Sequence, residues 1–273
     1  MRDLMDKPLI NKPVMGVAIA VLIAVVGSWF YWRSHNGPLP KVGVNEQPAV
    51  VPAQEPEERI EHPVPAVETA GPKAPLPELN ESDKSVSDAL GEAAGGAAVT
   101  QYLVPENIIR HIVVTVDNLP RQKVAVDKRP VGPAAGTFMA NGDELHATLD
   151  AQNFQRYGPM VNVIRKLDMQ PLAAVYLRFY PLFQQAYQDL GYPNGYFNDR
   201  LVKVIDVLLA TPQIAGPIEL VRPKVMYAFA DPTLEARPAG QKLLIRMGPD
   251  NAAAVKAKLM ELRAIITAAP PKH

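Results

Sequence analysis

The chain contains no cysteine. That absence removes disulfides, thiolate nucleophiles and cysteine-ligated metals together, and it suits an oxidising compartment without requiring one. Net charge is missing too, since 28 Lys and Arg balance 28 Asp and Glu over 273 residues. The balance hides an uneven distribution: residues 1–37 lean basic, 38–84 lean acidic and the remainder is slightly basic. A nearly neutral body behind an acidic stretch offers no electrostatic footprint for nucleic acid, and none is expected as a partner.

Catalytic motifs are equally scarce. Of the five histidines, His35, His62 and His273 lie in or near the linker or at the terminus, and only His111 and His146 fall in the body of the chain. No HxxxH or HExxH spacing occurs, so a zinc site lacks its local ligand pair. Serine after the linker is confined to its start, Ser85 and Ser87 among them, and no GxSxG elbow is present. Neither GxxxxGK[ST] nor a GxGxxG after a strand occurs, and no cofactor is expected. Paired-carboxylate chemistry has Asp117, Asp199, Asp206, Glu219 and Asp231 to draw on, but helix caps and salt bridges account for such residues as readily as a cleft does.

Charge is absent from one further place, the run between Lys12 and Arg33, where Val14 to Trp32 is almost entirely aliphatic and aromatic. An uncharged run of about 20 residues matches the hydrocarbon core of a bilayer. Its closing Trp29-Phe30-Tyr31-Trp32 cluster resembles an interfacial aromatic belt rather than a signal-peptide cleavage site. The expectation is a tail at 1–12, a transmembrane helix at 13–33 with the lipid bilayer as partner, and a linker at 34–80. A globular domain at 81–268 and a short tail at 269–273 follow. The slight excess of basic residues before the run places the N-terminus in the cytoplasm and the domain in the periplasm, on a bacterial inner membrane.

Ten prolines fall between Pro38 and Pro77, interleaved with Ala, Val and Glu. Proline fixes φ and like charges repel, so the stretch reads as an extended spacer of about 3.1 Å per residue. It lacks the basic-flanked PxxP of an SH3 ligand.

Beyond the spacer, a mainly α domain with a small antiparallel β element (α+β) is expected. Helical patterns run through Val86 and Leu90, from Pro105 through Ile112 to Val116, and from Asp150 through Tyr157 to Leu167. Others run from Asp168 through Phe179 to a stop at Gly191, from Asn198 to Ala210, from Asp231-Pro232 on to Met247, and through Val255 to Ile266. Phe138 to Ala140 and Leu145 to Leu149, around Asn141-Gly142, read as a hairpin, and 217–221 and 225–229 as two more strands of one sheet.

Several turns form a recognisable set. They are Val116-Asp117-Asn118-Leu119-Pro120-Arg121, Leu190-Gly191-Tyr192-Pro193 with Phe197-Asn198-Asp199-Arg200-Leu201, and Leu208-Leu209-Ala210-Thr211-Pro212. Gly216-Pro217-Ile218-Glu219-Leu220-Val221-Arg222-Pro223, Gly240-Gln241-Lys242-Leu243-Leu244 and Arg246-Met247-Gly248-Pro249 complete it. In these, residues 78 to 266 resemble a bacterial membrane-anchored family catalogued as domain of unknown function 3014. The resemblance brings no activity, substrate or catalytic residue.

What remains is a set of charged residues on turns: Asp117, Arg121, Asp199, Arg200, Arg222, Lys224, Asp231, Lys242 and Arg246. Such groups either fix loop geometry or line a groove that recognises a partner. The leading expectation is a non-catalytic envelope interaction or scaffold protein, binding an unknown envelope protein or anionic ligand. The alternatives are a membrane-tethered hydrolase using Asp with His111 or His146, and a sensor of small anions.

Overall fold

Asp168 accepts a hydrogen bond from the Gln170 N–H at 2.9 Å and so opens the longest helix of the molecule's described part, Met169–Asp189. A computed structural model describes residues 59–65, 75–94, 102–123, 128–143, 146–223 and 226–268. In chain order its helices are α1 (Asp83–Ala93), α2 (Ile108–Asn118), α3 (Gln152–Arg165), α4 (Met169–Asp189), α5 (Phe197–Leu209), α6 (Pro232–Glu235), α7 (Ala239–Arg246) and α8 (Pro249–Ile266). Helix α4 packs against α1, α2 and α8, while α8 also covers α3 and α5. Val161, Leu172, Val113 and Ile266 are fully excluded from solvent where these helices meet. Beside them Tyr176, Phe183 and Phe197 form an aromatic cluster, with the Phe183 and Phe197 rings stacked at 5.8 Å.

Strands β1 (Ala140–Asn141), β2 (Ala147–Leu149), β3 (Glu219–Val221) and β4 (Ala228–Phe229) form one antiparallel sheet in that order. The hairpin and the two later strands therefore join as expected, with Ala140 opposite Leu149 and Leu220 opposite Phe229. Alternation along each strand buries Ala147, Leu149, Leu220 and Phe229 on one face. They meet Leu234 and Ile245 in a second, smaller core.

Two helix starts differ from expectation for a local reason. Asn107 adopts φ 52°, ψ 38°, and the Asn107 and Ile108 N–H groups donate to the Asp83 carboxylate at 2.7 and 2.8 Å. Helix α2 is thus capped from α1 and begins at Ile108, not Pro105. Helix α5 begins at Phe197, whose N–H donates to Gln184 Oε1 of α4 at 2.9 Å. Asn198 is released from capping and lies inside the helix, fully buried.

The single-pass membrane expectation is corrected. Among the described residues no helix is long and apolar enough to cross a membrane, and the run at 13–33 on which that expectation rested lies outside them. The fold class is a mostly α-helical domain with a small four-stranded antiparallel sheet, and no spanning helix lies among the described residues. The bilayer as partner, the cytoplasmic tail with periplasmic domain, and the envelope roles built on that topology are set aside with it.

Candidate functional site

The charged candidates fall into two groups, and Lys224 lies outside the described residues. One group sits where α2 ends and α5 begins. Asp117, with its side chain only 4% exposed, is 2.5 Å from Arg121 and 3.0 Å from Arg200. Arg200 also donates to the Asp117 carbonyl at 2.7 Å, and Arg121 to the Tyr192 hydroxyl at 3.0 Å. A buried carboxylate between two guanidiniums ties the two helices together.

Asp199, next to that triad, does something different. Its Oδ2 accepts from the Glu61 N–H at 3.0 Å and its Oδ1 from the His62 N–H at 2.6 Å. Asn198 Nδ2 donates to the His62 carbonyl at 2.8 Å, and the Tyr196 hydroxyl accepts from the Val64 N–H at 3.0 Å. Residues 59–65 thus lie along the start of α5 as a strap that bends at Glu61 and His62, its own main-chain groups bonded to side chains more than a hundred residues away in sequence. Pro63 has no N–H to satisfy, and the Val64 side chain packs on the main core.

The groove floor is rigid. Asn198 accepts from the Tyr176 hydroxyl at 3.0 Å and donates to the Ile266 carbonyl at the end of α8 at 3.1 Å, so one amide joins strap, α4, α5 and α8. The Tyr180 and Tyr196 rings lie 5.6 Å apart. Burial, reinforced by neighbouring hydroxyls and Asp199, holds the Tyr176 and Tyr180 hydroxyls above the ordinary tyrosine range. They stay neutral donors. A carboxylate in the first turn of α5 also sits favourably on the helix dipole.

The second group lies under β4. Lys242 and Arg246 are buried on α7, 4% and 1% exposed. Lys242 Nζ is 2.8 Å from Glu235, Arg246 is 3.9 Å from the same carboxylate, and the Arg246 guanidinium lies 4.0 Å over the Phe229 ring. Burial pushes the Arg246 pKa down to about 10 despite the attraction of Glu235. Burial also raises the Glu235 carboxyl, but the Lys242 hydrogen bond, the Phe229 N–H and the two cations together outweigh it and leave it below its usual value. Asp231 caps α6 through the Thr233 N–H at 2.7 Å, and Arg222 lies 5.7 Å over Tyr227. Glu235 and Lys242, with Phe229 and Val221, line a cavity of about 450 Å³.

Among the described residues no three His, Asp or Glu side chains gather as metal ligands. His146 lies 3.4 Å from Asp143 in the hairpin turn. Residue-type reasoning picked out Asp199 but missed Tyr196, Asn198, Tyr176 and the strap. The available signal was an adjacent Asn-Asp pair in the first turn of an amphipathic helix.

The fold and site together define a mostly helical domain that clasps a short segment of its own chain. Residues 108–263 match the family described as Protein of unknown function (DUF3014), over more than half of the chain, and the protein belongs to that family. No curated protein and no solved structure matches it.

Proposed function

We propose that this domain is a non-catalytic interaction module that holds a short bent peptide by its main chain at the start of α5. The observation that carries the reading is the paired acceptance of the Glu61 and His62 N–H groups by one carboxylate, completed by Asn198 and Tyr196. Side-chain identity is not read at these bonds, whereas the bend that turns two successive N–H groups to one carboxylate is. The acids of the corner are committed, Asp117 to two guanidiniums and Asp199 to two amides, which favours holding over chemistry.

The balance of energies makes the occupant exchangeable. Two hydrogen bonds to a carboxylate contribute about 1.5–3 kcal/mol each and two neutral ones about 1 kcal/mol each. Ordering five residues costs about 1–2 kcal/mol each, less where proline has already restricted the chain. With the half-buried Val64 side chain adding about 1 kcal/mol, the strap is held by a few kcal/mol, as an element that opens without global unfolding.

Displacement tests the reading. A synthetic peptide of residues 59–65, added to isotopically labelled full-length chain, is expected to restore fast hydrogen exchange at the Glu61 and His62 amides. Because the tethered strap acts at an effective concentration in the millimolar range, half-displacement is expected at about millimolar peptide. A strap that stays protected at every peptide concentration would count against the reading.

A further inference from the structure

The pattern of bonded and unbonded main-chain groups in the strap sets a rule for what the groove accepts. Amide N–H groups are read at the first, second and fourth positions, Glu61, His62 and Val64. The third and fifth positions are Pro63 and Pro65, which have no N–H to offer. The fourth side chain, Val64, rests on the apolar core, while Pro63 is exposed and serves by fixing φ just after the bend. A residue with a branched or linear aliphatic side chain suits the fourth place, and proline suits the third and fifth.

Pro-aliphatic-Pro occurs three times in the chain, at 38–40, 63–65 and 75–77, each preceded by two residues that keep their N–H groups. Leu76 of the last copy packs on the main core in its own place. The first copy, Asn36-Gly37-Pro38-Leu39-Pro40, lies outside the described residues. Resting on the peptide-holding reading above, we infer that the groove at the start of α5 is a reader of x-x-Pro-aliphatic-Pro segments and that residues 36–40 are its second ligand, exchanging with 61–65.

Chain length explains why 61–65 is the resting occupant. The segment closing the loop from the groove to Pro75 is 66–74 when 61–65 is bound and 41–74 when 36–40 is bound. Loop closure scales as the three-halves power of length, which disfavours the second arrangement about 7-fold. Gly37 in place of His62 adds roughly 2- to 5-fold through the extra backbone freedom that must be frozen. With matched contacts the second occupant is held in a few per cent of molecules, and loss of the first makes it dominant.

Substituting proline at the two clamped amides, Glu61→Pro with His62→Pro, deletes the two donors that Asp199 holds and leaves the groove untouched. In the full-length double variant the Asn36, Gly37 and Leu39 amides are expected to exchange at least 10-fold more slowly than in the wild type. Adding Asp199→Ala is expected to return Asn36 and Gly37 to the free-chain rate. In wild-type chain, a peptide of residues 34–40 is expected to displace 61–65, and the same peptide with Leu39→Asp is not. If 36–40 stays at the free-chain rate while the 59–65 peptide still displaces the wild-type strap, this inference falls and the peptide-holding reading stands. If neither peptide displaces the strap, both fall.

Discussion

Asn198 joins two other helices and the strap to α5 through one side chain. Its amide serves Tyr176, the Ile266 carbonyl and the His62 carbonyl at once. Asn198→Ala leaves buried partners without a bond, and about 3 kcal/mol of stability should be lost, measured as a lower urea midpoint with unchanged slope. Glu235 plays the corresponding part for charge, since both Lys242 and Arg246 depend on it. Glu235→Gln should cost about 3 kcal/mol at neutral pH, the low end for breaking a buried pair because Glu235 is one-third exposed. Its carboxyl titrates below the ordinary value of 4.5 in the folded chain. Its contribution is therefore present above that pH and lost as pH falls through the folded pKa. The difference in melting temperature between wild type and Glu235→Gln should accordingly shrink as pH is lowered from 4.5. At this scale the sequence identified which residues are charged but not which are neutralised. Asp117 and Arg200 are 83 positions apart, and pairing at that separation leaves no local pattern.

Elements were more legible than residues, because caps and breakers act within a few positions. Asp168 caps α4 as its place before an apolar-periodic run implies, and Asp168→Ala should cost about 1 kcal/mol in thermal unfolding. Gly191 at φ 115° closes the same helix. Gly248, at φ 87°, separates α7 from α8, and an added Cβ there would lie 2.5 Å from the Phe154 ring. Gly248→Ala should destabilise by about 1–3 kcal/mol through overpacking, and Phe154→Leu should recover only part of it because the positive φ remains. The starts of α2 and α5 were illegible for the opposite reason. Asp83 and Gln184, which satisfy their first N–H groups, come from other helices, so tertiary contact decided where each helix begins. The sheet was readable from its Asn-Gly turn and alternating strands, since hairpin chemistry is local.

For the whole molecule, residue patterning correctly implied a mostly helical domain with a small sheet. The uncharged run at 13–33 pointed instead to a membrane-spanning helix, which no helix among the described residues provides, and the run itself lies outside them. The strap was invisible in the sequence because its recognition is by main-chain groups, which every residue carries. A proline-rich stretch reads as spacer until a groove that accepts its N–H pattern is seen. The account therefore stands on the clasp at the start of α5, and amide hydrogen exchange in the full-length wild-type chain tests it most directly. Protection of Glu61, His62 and Val64 well beyond the free-chain rate, with Glu61 and His62 released by Asp199→Ala while the helices keep theirs, is the predicted result. Free-chain exchange at all three amides in the folded wild type would contradict it.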